Sequence, residues 1–284
     1  MKTATYHLLD VFTDTRFAGN QLAVFLEADA LDTASMQRVA RELNLAETVF
    51  LGAASAANHY PMRIFTPAEE LAFAGHPTVG TAWLLNELGL FDGKHPLVLE
   101  PPVGELVVEL EDGKATFTTA RPACVSESPL DGPAAAALLG LDAHQVVGTP
   151  VLASCGLAYH LIELATPEAL AQLHLSAADW GRLVTPSGAE QIYLYALEAS
   201  SGDSARLQTR MFCREHGLCE DAATGSAAAA LTGYLARRSE TRQCIIHQGV
   251  EMGRPSVIET AMAGELISVG GRAVRVGKGE IYVE

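Results

Sequence analysis

The chain is short of positive charge. Nineteen Lys and Arg stand against 34 Asp and Glu, leaving −15 over 284 residues. So acidic a body repels phosphate backbones, and no basic patch offsets it, so nucleic acid is not an expected partner. Long apolar runs are missing too. None approaches the ~20 residues that a membrane helix needs, so no membrane association is expected. The opening MKTATYHLLDVF has His7 and Asp10 where a secretory signal requires an apolar stretch, and the expected location is the cytoplasm. Cysteines are few: Cys124, Cys155, Cys213, Cys219 and Cys244. Their odd number and scattered spacing exclude a disulfide framework, and neither a CxxC nor a CxxxxH zinc pattern occurs. With the nine histidines equally dispersed, the chain reads as metal-free, its thiols reduced, buried and inert.

Apolar residues are plentiful at 49%, against 19% charged, which marks a folded globular protein. The length suits one large domain or two ordinary ones and is enough to bury roughly 75% of the unfolded surface. Short runs bounded by Gly, Asn, Asp or Pro read as strands: HLLDVF, NQLAVFL, ETVFLG and PMRIFT. Residues 97–120 read as a β-meander turning at Pro101-Pro102 and Asp112-Gly113, and the C-terminal ISVGGRAVRVGKGEIYVE reads the same way. Met36, Val39, Ala40 and Leu43 fall at helical spacing, predicting a surface helix capped by Asp32 or Thr33.

Two other helices are predicted, from about Pro77 to Leu88 and from about Ser226 to Arg238. Pro77 suits the first helical position, Gly89 suits the residue after the end, and Arg237 and Arg238 suit the last turn. Both are apolar on nearly every face over their first two turns, so both should be buried with sheet around them. They also expose a repeat. Arg63-Ile64-Phe65 leads through an acidic segment to Gly75-His76 and one helix; Arg210-Met211-Phe212 leads through another to Gly225-Ser226 and the second. A weaker echo links AGNQLAVFLE to GLAYHLIELA. The expected architecture is α+β: two similar lobes, each a β-barrel-like curled sheet around a central helix. The first lobe should span 1–120, joined by strands from 270–284, and the second 121–269, with the boundary near Arg121-Pro122.

A buried helix start offers unpartnered N–H groups and about half a positive charge. Glycine at Gly75 and Gly225 lets a ligand approach the backbone, and His76 and Ser226 add donors. Two such ends facing one cleft would bind a carboxylate. Taken singly, the glycines are turn glycines and His76 and Ser226 are caps; their repetition favours the ligand. In LAETVFL, Leu45, Glu47, Val49 and Leu51 alternate onto one face, so Glu47 is a carboxylate among apolar neighbours, a setting suited to general acid–base work. The competing reading is a strand-end Glu in water or paired with an Arg such as Arg63. Asp221 is either a helix-start partner or a pocket acceptor for a substrate amine or hydroxyl. Glu69 and Glu70 hold a similar place in the first lobe, at least one as a solvated loop charge. Asn20 is either a left-handed turn residue or a ligand-orienting one.

The stretches DVFTDTRFAGNQLAVF, RELNLAETVFL, RIFTPAEELAFAGHPTVGTA and EDAATGSAAAAL, in this order, resemble the PhzF-like proteins within the diaminopimelate-epimerase-like superfamily. The resemblance implies two lobes with an active site between them. It implies Glu47 as catalytic acid–base, His76 and Asp221 as polar groups handling substrate, Gly75, Gly225 and Ser226 as the carboxylate-binding helix ends, and Asn20 as a pocket residue. Superfamily racemases carry a cysteine at each helix end; here His76 and Ser226 stand there, which disfavours a two-thiol mechanism. The best-known member isomerises trans-2,3-dihydro-3-hydroxyanthranilate by moving a proton. The expectation is therefore a cofactor-independent isomerase, homodimeric as the family often is, acting on a small amino- or hydroxy-carboxylate. Its rivals are a binding or regulatory protein without turnover, a lyase or epimerase of the same superfamily, and a cysteine racemase that iodoacetamide would stop at Cys213 or Cys219.

Overall fold

The computed structural model describes residues 2–214 and 217–283; Met1, Glu215, His216 and Glu284, two of which end the expected first lobe, lie outside the described residues. The chain divides into two units, Met1–Thr118 with Gly270–Glu284, and Thr119–Val269. The first holds β1 (Lys2–Val11), β2 (Asn20–Phe25), α1 (Thr33–Leu43), β3 (Glu47–Leu51), β4 (His59–Phe65), β5 (Glu70–Leu71), α2 (Gly75–Glu87), β6 (Leu97–Glu100), β7 (Leu106–Glu111) and β8 (Lys114–Thr118). The second runs through β9 (Cys124–Glu127), α3 (Gly132–Leu139), β10 (Val146–Ser154), β11 (Ala158–Leu164), α4 (Pro167–Ala171), α5 (Ala177–Leu183), β12 (Gln191–Ser201), β13 (Ser204–Arg214), β14 (Leu218–Asp221), α6 (Gly225–Arg238), β15 (Gln243–Gln248) and β16 (Ser256–Ala263). After β17 (Leu266–Gly271), β18 (Ala273–Val283) completes the first unit by pairing antiparallel with β1.

The two units share one order of pairings. In the first, β1–β2 is antiparallel, β2–β3 parallel, β3–β4 and β4–β5 antiparallel, and after α2 the chain returns as β6, parallel to β4. In the second, β10, β11, β12, β13, β14, α6 and β15 repeat each relation in turn. A parallel pair needs a crossover. Helix α1 supplies it between β2 and β3, and α4 with α5 between β11 and β12. Side-chain detail repeats too. Arg63 forks onto Glu70 at 2.6–2.7 Å and lies 5.2 Å over Phe65. Arg210 forks onto Glu220 at 2.7–2.8 Å and lies 4.9 Å over Phe212.

Each central helix is enclosed by its own sheet. In α2, residues 75–82 with Leu84 and Leu85 are buried; in α6, Gly225 and Ala227 through Gly233 are. Helix α2 touches β1, β2, β3, β6, β7, β8 and β18, and α6 touches β9, β10, β11, β15 and β16. Sheet approaches α2 so closely that a Cβ on Gly80 would sit 2.6 Å from Val11 Cγ2 and 2.7 Å from Leu22 Cδ2. Helix α2 begins two residues before Pro77, which therefore occupies the third helical position. Proline is tolerated there because first-turn N–H groups have no intrahelical acceptor anyway. Asp32, not Thr33, caps α1, accepting from Ser35 N at 2.7 Å. Sequence periodicity does not reveal α3, α4 and α5. They have 8, 5 and 7 residues, too short to display a repeat, and α3 is almost wholly apolar.

Candidate active site

Helices α1, α3 and α5 each receive a side-chain cap, from Asp32, Asp131 and Ser176. Neither buried helix does: Ala74 and Thr224, at the N-cap positions of α2 and α6, make no side-chain cap bond. A buried helix start without a cap is unusual and suits an anion.

At the start of α2 the structure gathers four of the expected residues. His76, 5% exposed, places Nε2 3.4 Å from Glu47 Oε2 and 3.3 Å from the Gln21 carbonyl oxygen. Its Nδ1 faces Asn20 Nδ2 at 3.5 Å. An Asn20 amide donating to Nδ1 leaves Nε2 as the ring's donor, nearest the Gln21 carbonyl oxygen with the Glu47 carboxylate beside it. Glu47 is the first residue of β3 and its side chain is 18% exposed. Gly75 lies buried beside His76. The face alternation expected around Glu47 is not observed. Thr48 and Phe50 are as buried as Val49 and Leu51, because β3 is covered by α2 and by α1. Arg63 is committed to Glu70 and Thr33, so it is not the arginine partner of Glu47.

Asn20 opens β2 in an extended strand; the left-handed residue of that turn is Gly19, at φ +62. A Cβ on Gly19 would lie 2.3 Å from the Val11 carbonyl oxygen. The same loop holds Phe12 and Phe17 at φ 63 and 69, rare for bulky side chains. Asp10 steadies it by accepting from Phe17 N at 2.6 Å. No sequence signal marks these two residues.

At the start of α6, Asp221 Oδ2 accepts from the Thr224 hydroxyl at 2.5 Å, and Ser226 Oγ lies 2.7 Å from the Tyr159 hydroxyl. Gly225 is buried and Ser226 partly exposed. The residue holding this corner is Gln248, fully buried at the end of β15. It donates to the Asp221 carbonyl at 2.9 Å and Thr224 Oγ1 at 3.0 Å, and accepts from Thr224 N at 3.2 Å and the Tyr193 hydroxyl at 3.1 Å. Burial pushes the Tyr193 phenol well above its ordinary range, so it remains a donor. Sequence reasoning missed Gln248, though Cys244, Ile246 and Gln248 share one strand face, leaving a polar group on an apolar one. The expected likeness of Glu69 and Glu70 to Asp221 is corrected by strand register. Glu70 lies opposite Phe65 as Glu220 lies opposite Phe212, so the counterpart of Asp221 is Leu71.

The thiols also depart from expectation. Only Cys244 is buried; Cys124 and Cys219 are exposed, and Cys155 and Cys213 intermediate. Cys213 and Cys219 occupy the hairpin before α6, away from the first residues of either helix where a two-thiol racemase needs them. Among the described residues, the His, Cys, Asp and Glu side chains close enough to share a metal are His59, Glu100 and Glu105, with donor atoms within 4.8 Å. They sit at the opposite end of β4 from Phe65, whose neighbour in β3 adjoins Glu47. No helix among the described residues is long and apolar enough to cross a membrane.

A curled sheet around an uncapped central helix, made twice in one chain, defines the diaminopimelate epimerase-like fold. The family model for phenazine biosynthesis-like proteins matches residues 9–279, and the chain belongs to that family, PhzF. It is 39% identical to an uncharacterized isomerase of Mesorhizobium japonicum over the whole of both chains. It is 34% identical to the trans-2,3-dihydro-3-hydroxyanthranilate isomerase of Pseudomonas fluorescens, covering 98% of this chain and 99% of that one. The solved phenazine biosynthesis protein of the PhzF family from Bacillus anthracis shares the fold, with a TM-score of 0.87 over the whole of both chains at 23% identity. The chain is accordingly an enzyme of the isomerase class.

Proposed function

We propose that this isomerase moves a proton on a small amino- or hydroxy-carboxylate without a cofactor, with Glu47 as the general acid–base. The observation that carries the proposal is the contact of Glu47 with the buried ring of His76 at the uncapped start of α2. Glu47 takes a proton from carbon and returns one at another position. The Nε2 proton of His76 orients the carboxylate between these steps, and Asn20 fixes the ring. Open N–H groups at Gly75 and Gly225 suit the substrate carboxylate and charge that develops beside it. Asp221 and Ser226 suit its amine or hydroxyl. In this reading the protein is a cytoplasmic homodimer.

The test is turnover in heavy water. Incubated with trans-2,3-dihydro-3-hydroxyanthranilate, the substrate named for the Pseudomonas fluorescens relative, the enzyme should place deuterium on a ring carbon, followed by NMR. A panel of amino- and hydroxy-carboxylates that all stay unlabelled and unchanged would leave a binding protein in place of the proposed enzyme.

A further inference from the structure

We propose that Cys213 and Cys219 form a redox modification site, oxidised to an intramolecular disulfide by a low-molecular-weight disulfide, and that the bond acts on the hairpin carrying Asp221. The two residues lie directly opposite each other on the antiparallel strands β13 and β14, with sulfurs 3.1 Å apart. Opposed antiparallel residues have Cα atoms about 4.5–5.5 Å apart, within the 4.4–6.8 Å span of disulfides. Bonding therefore asks the sulfurs to close by about 1 Å, shared between side-chain rotation and a small approach of β14 to β13. Access is present as well. Cys219 is exposed and helps line a cavity of about 280 Å³ with Leu173, Leu175, Arg210 and Phe212. Other thiols are poorer targets. Burial raises Cys155 to about 11 and also raises Cys244, keeping both protonated, and Cys124 lies opposite Ser154, not a cysteine, across its strand pair.

The chemistry is two successive exchanges. Cys219 loses its proton to water, and its thiolate attacks one sulfur of the small disulfide, forming a mixed disulfide and expelling one thiolate. Cys213, likewise deprotonated, attacks the Cys219 sulfur, forming the Cys213–Cys219 bond and expelling the second thiolate. Two electrons pass from the protein thiols to the small disulfide, and the two released protons end on its two thiols. The next pair along the hairpin, on the same face, is Met211 opposite Asp221. Drawing β14 toward β13 displaces Asp221, and misplacement of a substrate-holding group by about 1 Å can cost about 100-fold in rate. This second element rests on the function proposed above.

The experiment uses the full chain in graded ratios of reduced to oxidised glutathione, trapped with iodoacetamide and digested with trypsin. Cleavage after Arg210 and Arg214 puts the two cysteines on separate peptides, so the bond is read as two peptides joined. We expect the joined pair to appear as the ratio falls, to vanish with dithiothreitol and to be absent from Cys213→Ser. Cysteines that alkylate or take up glutathione one at a time, with no joined pair at any ratio, overturn the site. Coupling to Asp221 is read in the same samples by amide hydrogen exchange over residues 219–224 and by turnover. We expect altered exchange and a tenfold or greater, dithiothreitol-reversible fall in turnover, neither of which occurs in Cys213→Ser. A fully joined pair with unchanged exchange overturns the coupling. The site and the exchange are both measurable without substrate, so a failure of the isomerase reading would register separately, as absent turnover in the reduced protein.

Discussion

Set side by side by strand register, the two units agree in scaffold and differ at the candidate site residues. Thr48 lies opposite Phe65 as Ile192 lies opposite Phe212, so Glu47 in the first unit corresponds to Gln191 in the second. Asp221 corresponds to Leu71, and His76 to Ser226. Continuing the β4–β6 register one residue makes Pro101, which has no N–H to give, the counterpart of Gln248. Each unit thus keeps one acid that the other lacks. Such an arrangement has lost the equivalence that a symmetric two-base inversion uses. It is in keeping with the proposed single acid–base, Glu47.

The sharpest way to break the comparison is to make the first unit like the second. Glu47→Gln should lower turnover by 10²–10⁴-fold with the melting temperature nearly unchanged, in line with the usual contribution of a placed acid–base group. Adding Gln191→Glu to that variant should not restore the rate, because Gln191 has no histidine in the place of His76. Recovery of turnover, measured by deuterium uptake, would mean that the units are chemically interchangeable. Next in size is Gln248→Leu, which strands the Tyr193 hydroxyl and Thr224 N–H in the interior. It should cost about 3 kcal/mol in urea unfolding and lower kcat more than it raises KM.

Smaller effects distinguish matched pairs. The Arg210–Glu220 side chains are 13% and 14% exposed, those of Arg63 and Glu70 33% and 29%. Glu220→Gln should therefore destabilise by about 2 kcal/mol and Glu70→Gln by less than about 1 kcal/mol; equal costs would show that burial is not what separates them. Histidines give the mildest contrast. Burial holds His160 below its ordinary 6.5, with Ser128 and Ser187 on its two nitrogens at 2.8 and 2.9 Å. Burial also depresses His7 in the first unit, aided by Lys278 and Arg275. The unfolded chain takes up these protons near pH 6.5 before the folded one does, so stability should fall as pH drops below 6.5. The slope is at most about 1.4 kcal/mol per pH unit for each histidine. His160→Gln, which can still bond both serines, should lower the slope seen in urea melts at pH 5.5–7.5.

Much of this was legible in the residues, for identifiable reasons. The repeat could be read because Arg63-Ile64-Phe65 and Arg210-Met211-Phe212 keep an ion pair and a ring contact that both units need. The buried helices could be read because apolar residues all round a helix leave it no wet face. Glu47 stood out as a charge in an apolar strand, although the supposed alternation was absent from a strand covered on both sides. Gln248 carried the same signal in QCIIHQ and passed unseen, since an amide draws less notice than a carboxylate. Phe12 and Phe17 were illegible in principle: their left-handed backbone is imposed by the loop against the preference of the residue.

The pairing of β18 with β1, from Lys2 opposite Val283 to Val11 opposite Ala273, has a consequence for how the protein is born. On the ribosome β1 can pair with β2 as soon as that strand follows, but its other neighbour, β18, arrives only after the whole second unit has been made. The second unit, contiguous from Thr119 to Val269, is made before β18 emerges. The first unit therefore matures after the second, and until β18 arrives the open edge of β1 is exposed to wrong partners.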